Sequence, residues 1–232
     1  MVYQIIKGKY AVFLESIAIT LIILIVGISI GFLIESHRTQ KIVESYKDYE
    51  IESLDLRLQN YYYQIMNQES CDAAIEQNFK FAEDLYTKGL ELEKYEEANQ
   101  ITDDLFREKK RYVLLKTELW LNSILLKEKC DDPFDTVVYL YSGDPGNNAI
   151  VAQQKIISNV LKTVKEDKGN QIILLPIAAD LKKTSDDDSL QLGIVEMQMR
   201  VYNITEIPAI IINEKEIIVG FHTVEEIKGY LR

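Results

Sequence analysis

Cys71 and Cys130 are the only two cysteines in the 232 residues, and they are the first place to look for chemistry. Two thiols can lock together as a structural disulfide or cycle as a redox couple. They do not form a CxxC pair, and with so few partners they do not form a zinc framework either. A reactive cysteine needs cations nearby to stabilise its thiolate. Lys127 and Lys129 lie near Cys130, but Glu128, Asp131 and Asp132 offset them. His37 and His222 are far apart in sequence, so no metal site is expected. Asp186-Asp187-Asp188 lacks the spacing of an EF-hand loop and reads as a solvated loop. Tyr61-Tyr62-Tyr63 reads as helix packing rather than a stacking platform. Asn203-Ile204-Thr205 is a glycosylation sequon that matters only outside the cytoplasm. The sequence contains no phosphate loop, no GxSxG and no HExxH, and no cofactor is expected.

The elements around the cysteines suggest how they could meet. No proline occurs before Pro133, and residues 37–132 read as a helical stalk followed by an antiparallel helical hairpin. In the stalk, Ile51, Leu54, Leu58, Tyr61 and Ile65 recur at spacings of three and four. A break is expected near Asn67–Ser70, with Ser70 capping a second helix and Asp72 in its first turn. Ile75, Phe79, Ala82 and Leu85 or Tyr86 would be its apolar face. Thr102 would cap a third helix, in which Tyr112, Leu115, Leu119 and Leu126 form a buried stripe with Trp120 beside it. Helices of similar length joined by a short connection pack antiparallel. Cys71 opens the second helix and Cys130 closes the third, so a disulfide between them is geometrically reasonable. It would close a loop of about 60 residues, worth roughly 4 kcal/mol on the chain-entropy estimate. Such a bridge requires an oxidising compartment; two unpaired thiols are the alternative.

Ahead of the stalk, residues 1–36 read as a membrane anchor. Ser16–Ile34 is an uncharged apolar run between Glu15 and Glu35. Its 19 residues, at 1.5 Å each, cover roughly 28 Å, close to the hydrocarbon thickness of a bilayer. The run is longer than a signal-peptide core, and no small-residue cleavage site follows it. Lys7 and Lys9 precede the span while Arg38, Lys41 and Lys47 follow it, so flanking charge does not set the orientation. A signal-anchor arrangement with the C-terminal part extracytoplasmic accommodates the disulfide. Gly27 and Gly31 form a GxxxG pair that would let two spans approach as a homodimer. The plainer reading is that a β-branched-rich span happens to contain two glycines.

Residues 133–232 change character. Thr136–Tyr141 reads as a buried strand, Asp144-Pro145-Gly146 as a turn and Ala149 to about Lys165 as a helix. Gln171–Ala178 reads as a strand and Leu190–Tyr202 as a helix. Pro208–Ile212 and Glu216–Gly220 form a hairpin, and Thr223 caps a last helix with Glu225 and Glu226 in its first turns. The order is βαβαββα, an α/β fold. Pro176 lies inside the second strand, which argues that this strand is an edge.

This order and spacing resembles the thioredoxin family. TVVYLYSGDPGNNAIVAQQ is similar to the strand–turn–helix that carries the family's CxxC. ITEIPAIII is similar to the segment where a cis-proline precedes the third strand, and FHTVEEIKGYL resembles the closing helix. The resemblance implies that Pro208 is the cis-proline and that Ile207 and Pro208 border a peptide-binding loop. It also implies that Asn147 and Ile150 stand where the two catalytic cysteines would be. Neither can attack a disulfide, so the domain resembles a redox-dead relative. The layout of span, helical region and thioredoxin-like domain is similar to that of membrane-anchored archaeal extracytoplasmic proteins.

The formal net charge is −11. Residues 1–35 contribute Lys7, Lys9, Glu15 and Glu35, which cancel, so the rest of the chain keeps the full −11. A surface this acidic repels phosphate backbones, and nucleic acid is not an expected partner. The expectation is a non-enzymatic, bilayer-tethered interaction or scaffold protein that binds a protein or peptide. Its rivals are a thiol–disulfide redox protein working through Cys71 and Cys130, and a structural subunit of a membrane complex.

Overall fold

The computed structural model describes residues 2–97, 103–143, 146–181 and 192–232. The chain divides into two units, Met1–Glu50 and Ile51–Arg232. Helix α1 (Val2–Ile65) supplies all of the first unit and enters the second. Within the first unit, Phe13–Leu33 is a 21-residue stretch long and apolar enough to cross a membrane. Its apolar side chains are bare, and a Cβ added at Gly27 or Gly31 would meet nothing.

In the second unit α1 is followed by a short 3-10 turn, Gln68–Ser70, which runs directly into α2 (Cys71–Glu97). Ser70 therefore does not cap α2 from outside; it is the last residue of that turn, and its hydroxyl accepts from Tyr62 Oη at 3.1 Å. Helix α3 (Asp103–Lys129) packs against α2. The expected caps and turns at Thr102, Asp144-Pro145 and Asp186–Asp188 lie outside the described residues.

Two buried faces differ from those the periodicity suggests. In α2 the fully buried positions are Ala74, Asn78, Phe81 and Leu85, with Ile75, Phe79 and Ala82 only flanking them. Asn78 is tolerated there because its amide donates to Ser123 Oγ on α3 at 2.9 Å. In α1 the residues packed inward are Leu56 and Tyr63. Asn60 joins them through its amide, which donates to Asn122 Oδ1 at 2.6 Å, while Asn122 donates to Leu56 O at 3.1 Å. The Ile51, Leu54, Leu58, Tyr61 and Ile65 stripe points the other way and is exposed.

The C-terminal half is a four-stranded sheet in the order β2-β1-β3-β4. Strand β1 (Asp135–Ser142) pairs parallel with β2 (Ile172–Asp180) and antiparallel with β3 (Ala209–Ile212); β3 pairs antiparallel with β4 (Glu216–Val219). Helices α4 (Asn148–Lys168), α5 (Gly193–Val201) and α6 (Val224–Gly229) complete the βαβαββα order. On one sheet face Val137, Tyr139, Ile172, Ile210, Ile212 and Ile218 pack beneath Ile157, Leu161 and Val164 of α4 and Ile227 of α6. Helix α3 lies on the other face, against β2 and β1.

β2 is an edge strand, as Pro176 requires. Its edge is not left bare: Lys116 Nζ, on α3, donates to Pro176 O at 2.5 Å and sits 3.9 Å from the centroid of the Tyr112 ring. Lys116 is buried, and loss of hydration pulls its pKa from 10.5 to about 7. The folded value lies below the unfolded one, so the unfolded chain holds the extra proton between these pH values. The full penalty, on the order of a few kcal/mol, is present below about pH 7 and is relieved as pH rises toward 10.5. Lys165, also lowered by burial, adds in the same direction. Tyr63, Tyr139 and Tyr141, raised to about 12 by burial, act oppositely, but only above their unfolded value of 10. Urea unfolding between pH 6 and 9.5 should therefore show stability rising with pH. In Lys116→Met that slope should flatten, with the variant's advantage over the parent largest at pH 6 and mostly gone by pH 9.5.

Candidate functional site

Three elements meet at the C-terminal end of β1. The register places Leu140 opposite Ala209 and Ser142 opposite Asp180, so the Pro208 loop, the β1 exit and the β2 exit share one end of the sheet. The Ile207–Pro208 peptide is cis. Pro208 is buried and Ile207 half-buried, while Thr205 and Glu206 beside them are exposed. The loop is held by Ile204 N donating to Met199 O at 2.8 Å and by Gly220 N donating to Pro208 O at 3.5 Å.

Asp180 organises the neighbouring turn. Its carboxylate accepts from Ser142 Oγ at 3.0 and 2.9 Å and from Gly143 N at 2.6 Å. Gly143 has no room for a side chain, because a Cβ there would collide with the Asp180 backbone carbonyl. Gln154 of α4 donates to Ser142 O at 3.0 Å and ties the helix to the strand exit. Asn147 is the N-cap of α4, its side-chain oxygen accepting from Ala149 N at 2.8 Å. Ile150 lies one turn in and is half-buried. Asn147 and Ile150 therefore sit at the helix entrance above the parallel strands, at the same sheet end as Pro208.

The chemistry available at this end is limited. Burial raises the Tyr141 phenol to about 12, reinforced by Tyr139, Glu93 and Asp180, so it stays a hydrogen-bond donor at neutral pH. Among the described residues no cluster of histidine, cysteine and carboxylate side chains could hold a metal ion. Among the described residues this end offers polar groups, an apolar loop and a helix entrance, and neither cysteine lies among them.

The sulfur is elsewhere. Cys71 and Cys130 are bonded to each other, with Cα atoms 5.7 Å apart, and the chain has no free cysteine. The bridge belongs to the opposite end of β1. Phe79 packs edge-on against Phe134, one residue before β1, with ring centroids 5.2 Å apart. Fourteen residues further along α2, Glu93 is close enough to Tyr141 to raise its pKa. Cys130 lies five residues before β1 begins, and Phe79 beside Phe134 is eight residues after Cys71, so the bridge lies toward the start of β1, away from Pro208.

A second polar cluster joins α3 to the sheet, and neither motif nor periodicity marks it. Lys127, buried, donates to Thr136 Oγ1 at 3.2 Å, Asn213 Oδ1 at 2.8 Å and Glu214 Oε2 at 3.1 Å. Trp120 Nε1 and Thr136 Oγ1 both donate to Glu214 Oε1, at 2.9 and 2.6 Å. Trp120 stacks on Tyr202 with centroids 5.6 Å apart. Asn213 Nδ2 and Arg232 N donate to Asp135, at 2.7 and 2.8 Å. These groups are saturated by one another, so the cluster is a fastening rather than a binding site.

No family model, no curated protein and no solved structure matches the chain.

Proposed function

We propose that the chain is a non-enzymatic, bilayer-tethered interaction protein whose C-terminal half is a redox-inactive thioredoxin-like domain that binds a protein or peptide. The reading is supported by the β2-β1-β3-β4 order, by the cis peptide at Pro208 and by the helix entrance at the same end of the sheet. The observation that carries it is the separation of sulfur from that entrance: Asn147 occupies the cap, and both thiols are consumed in a bridge at the other end of β1. An extended segment would lie along the exposed Thr205–Glu206 side of the Pro208 loop, exchanging backbone hydrogen bonds as an added strand does. The apolar stretch Phe13–Leu33 would hold the chain in the bilayer, with the bridged part on an oxidising, extracytoplasmic side.

Placing thiols at the helix entrance tests the domain assignment. An Asn147→Cys, Ile150→Cys variant should acquire thiol–disulfide exchange activity, with the residue 147 thiolate stabilised by the N-terminus of α4. The parent chain should show none above the thiol background. If the parent reduces a disulfide substrate and loses that activity in Cys71→Ser, Cys130→Ser, the redox reading replaces this one. If the double-cysteine variant stays inert although folded, position 147 is not the equivalent of the family's nucleophile.

A further inference from the structure

We infer that residues Ile51–Ile65 of α1 form a parallel two-stranded coiled-coil seam with the same segment of a second copy of this chain. This inference rests on the membrane anchoring proposed above and adds an assembly to it.

The observation is a helix with two apolar faces, only one of which is used within the chain. Leu56 and Tyr63 are seven apart and buried against the rest of the unit, at 0% and 2% exposure. Ile51, Leu54, Leu58, Tyr61 and Ile65 follow one another at intervals of three, four, three and four. Calling Ile51 position a puts Leu58 and Ile65 at a, Leu54 and Tyr61 at d, and Leu56 and Tyr63 at f, opposite the a/d seam. All five a and d residues are exposed, from 58% at Leu58 to 79% at Ile65. A contiguous apolar stripe of this size on a folded unit marks an interface.

The spacing selects the occupant. A 3-4 repeat is the pattern a helix needs to insert its own knobs into a copy of itself, and in a parallel pair like layers meet like. Isoleucine at two a positions and leucine at one d position favour two strands. Arg57, at g, is paired with Glu118 of its own chain at 3.6 Å, so the apolar a and d residues alone carry the seam. Two heptads are short for a free coiled coil, which usually needs about three or more. Two chains anchored in one bilayer are already parallel and at the same height, and this confinement replaces much of the missing length.

Both native cysteines are bonded, so an introduced cysteine is the only free thiol. The full-length chain in phosphatidylcholine vesicles is treated with a short bis-maleimide after Leu58→Cys or, as a control on the exposed surface of α2, Glu76→Cys. The seam predicts several-fold more covalent dimer from Leu58→Cys. That excess should vanish when Leu54→Glu and Ile65→Glu are added, with little change in melting, because both side chains are exposed. Equal yields at 58 and 76 overturn the seam, as does a dimer that survives both glutamates. Quenching of a fluorophore at residue 58 by brominated lipid also overturns it, because the stripe would then face the bilayer. Alkaline carbonate extraction reads the anchor separately. Release of the chain refutes both the anchoring and this inference; retention without the cross-link at 58 refutes the seam alone.

Discussion

Removing the bridge with Cys71→Ala, Cys130→Ala should lower the stability of residues 51–232 by about 4 kcal/mol, the largest effect of any change outside the core. The two cysteines are 59 residues apart, and all of α2 and α3 lie between them. In the unfolded chain the bridge removes the freedom of that loop. In the folded chain it fastens the start of α2 to the end of α3, where the other ties are weak: Gln68 Nε2 to Asp131 at 3.1 Å and Lys129 Nζ to Gln64 O at 3.3 Å, both exposed. Urea unfolding of the detergent-solubilised chain, oxidised against fully reduced, measures the loss directly. The same thermodynamic cycle has a redox consequence. A bridge that stabilises the fold by about 4 kcal/mol is harder to reduce in the folded protein than in the unfolded chain by that amount, a potential lower by roughly 90 mV. A pair working as an oxidant would be driven the other way, with its reduced form stabilised by the fold. Titration against a glutathione series should therefore find the native bridge resistant. Ready reduction with no loss of stability would return Cys71 and Cys130 to the redox reading.

The sequence exposed what depends on backbone order and failed where buried polar side chains decide. Pro176 announced an edge strand because proline cannot donate into a ladder, and the sheet order places β2 at the edge. Thr223 announced the last helix because an N-cap is local chemistry, and in the structure that cap is a full capping box with Glu226. The meeting of Cys71 and Cys130 followed from two helices of equal length. The stalk misled for a physical reason. Periodicity finds an apolar stripe without saying what covers it, and in α1 the strongest stripe is the uncovered one, while burial goes to Leu56 and Tyr63 with Asn60 between them. α2 misled in the same way, because Asn78 looks like a surface residue until Ser123 is known to lie opposite. At the candidate site, element order puts Asn147 at the start of α4 and Pro208 just ahead of β3. Order does not reveal Asp180, because its role exists only once β1 and β2 are paired.

Glu214 should be the most sensitive polar residue of the fold, with Glu214→Ala costing about 3 kcal/mol or more. It sits in the β3–β4 turn with φ of 59°, a left-handed conformation that glycine or asparagine adopts more cheaply. Backbone preference therefore does not explain a glutamate there; its carboxylate does. One oxygen accepts from Trp120 and Thr136, the other from Lys127, so a single turn residue ties α3 to both β1 and the hairpin. Truncation leaves the buried Lys127 ammonium with Asn213, Thr136 and a more distant Asp132 at 3.6 Å, and it strands the Trp120 indole N–H. Two comparison variants separate the contributions. Glu214→Gly relaxes the backbone but loses the same hydrogen bonds, so it should recover only the turn strain, about 1 kcal/mol. Lys127→Met removes the buried charge together with its need for a partner, so Glu214→Ala in that background should cost clearly less than in the parent. Additive losses in this double-mutant cycle would mean that Lys127 and Glu214 are neighbours without being partners, and that the cost of Glu214→Ala comes from Trp120 and Thr136 instead.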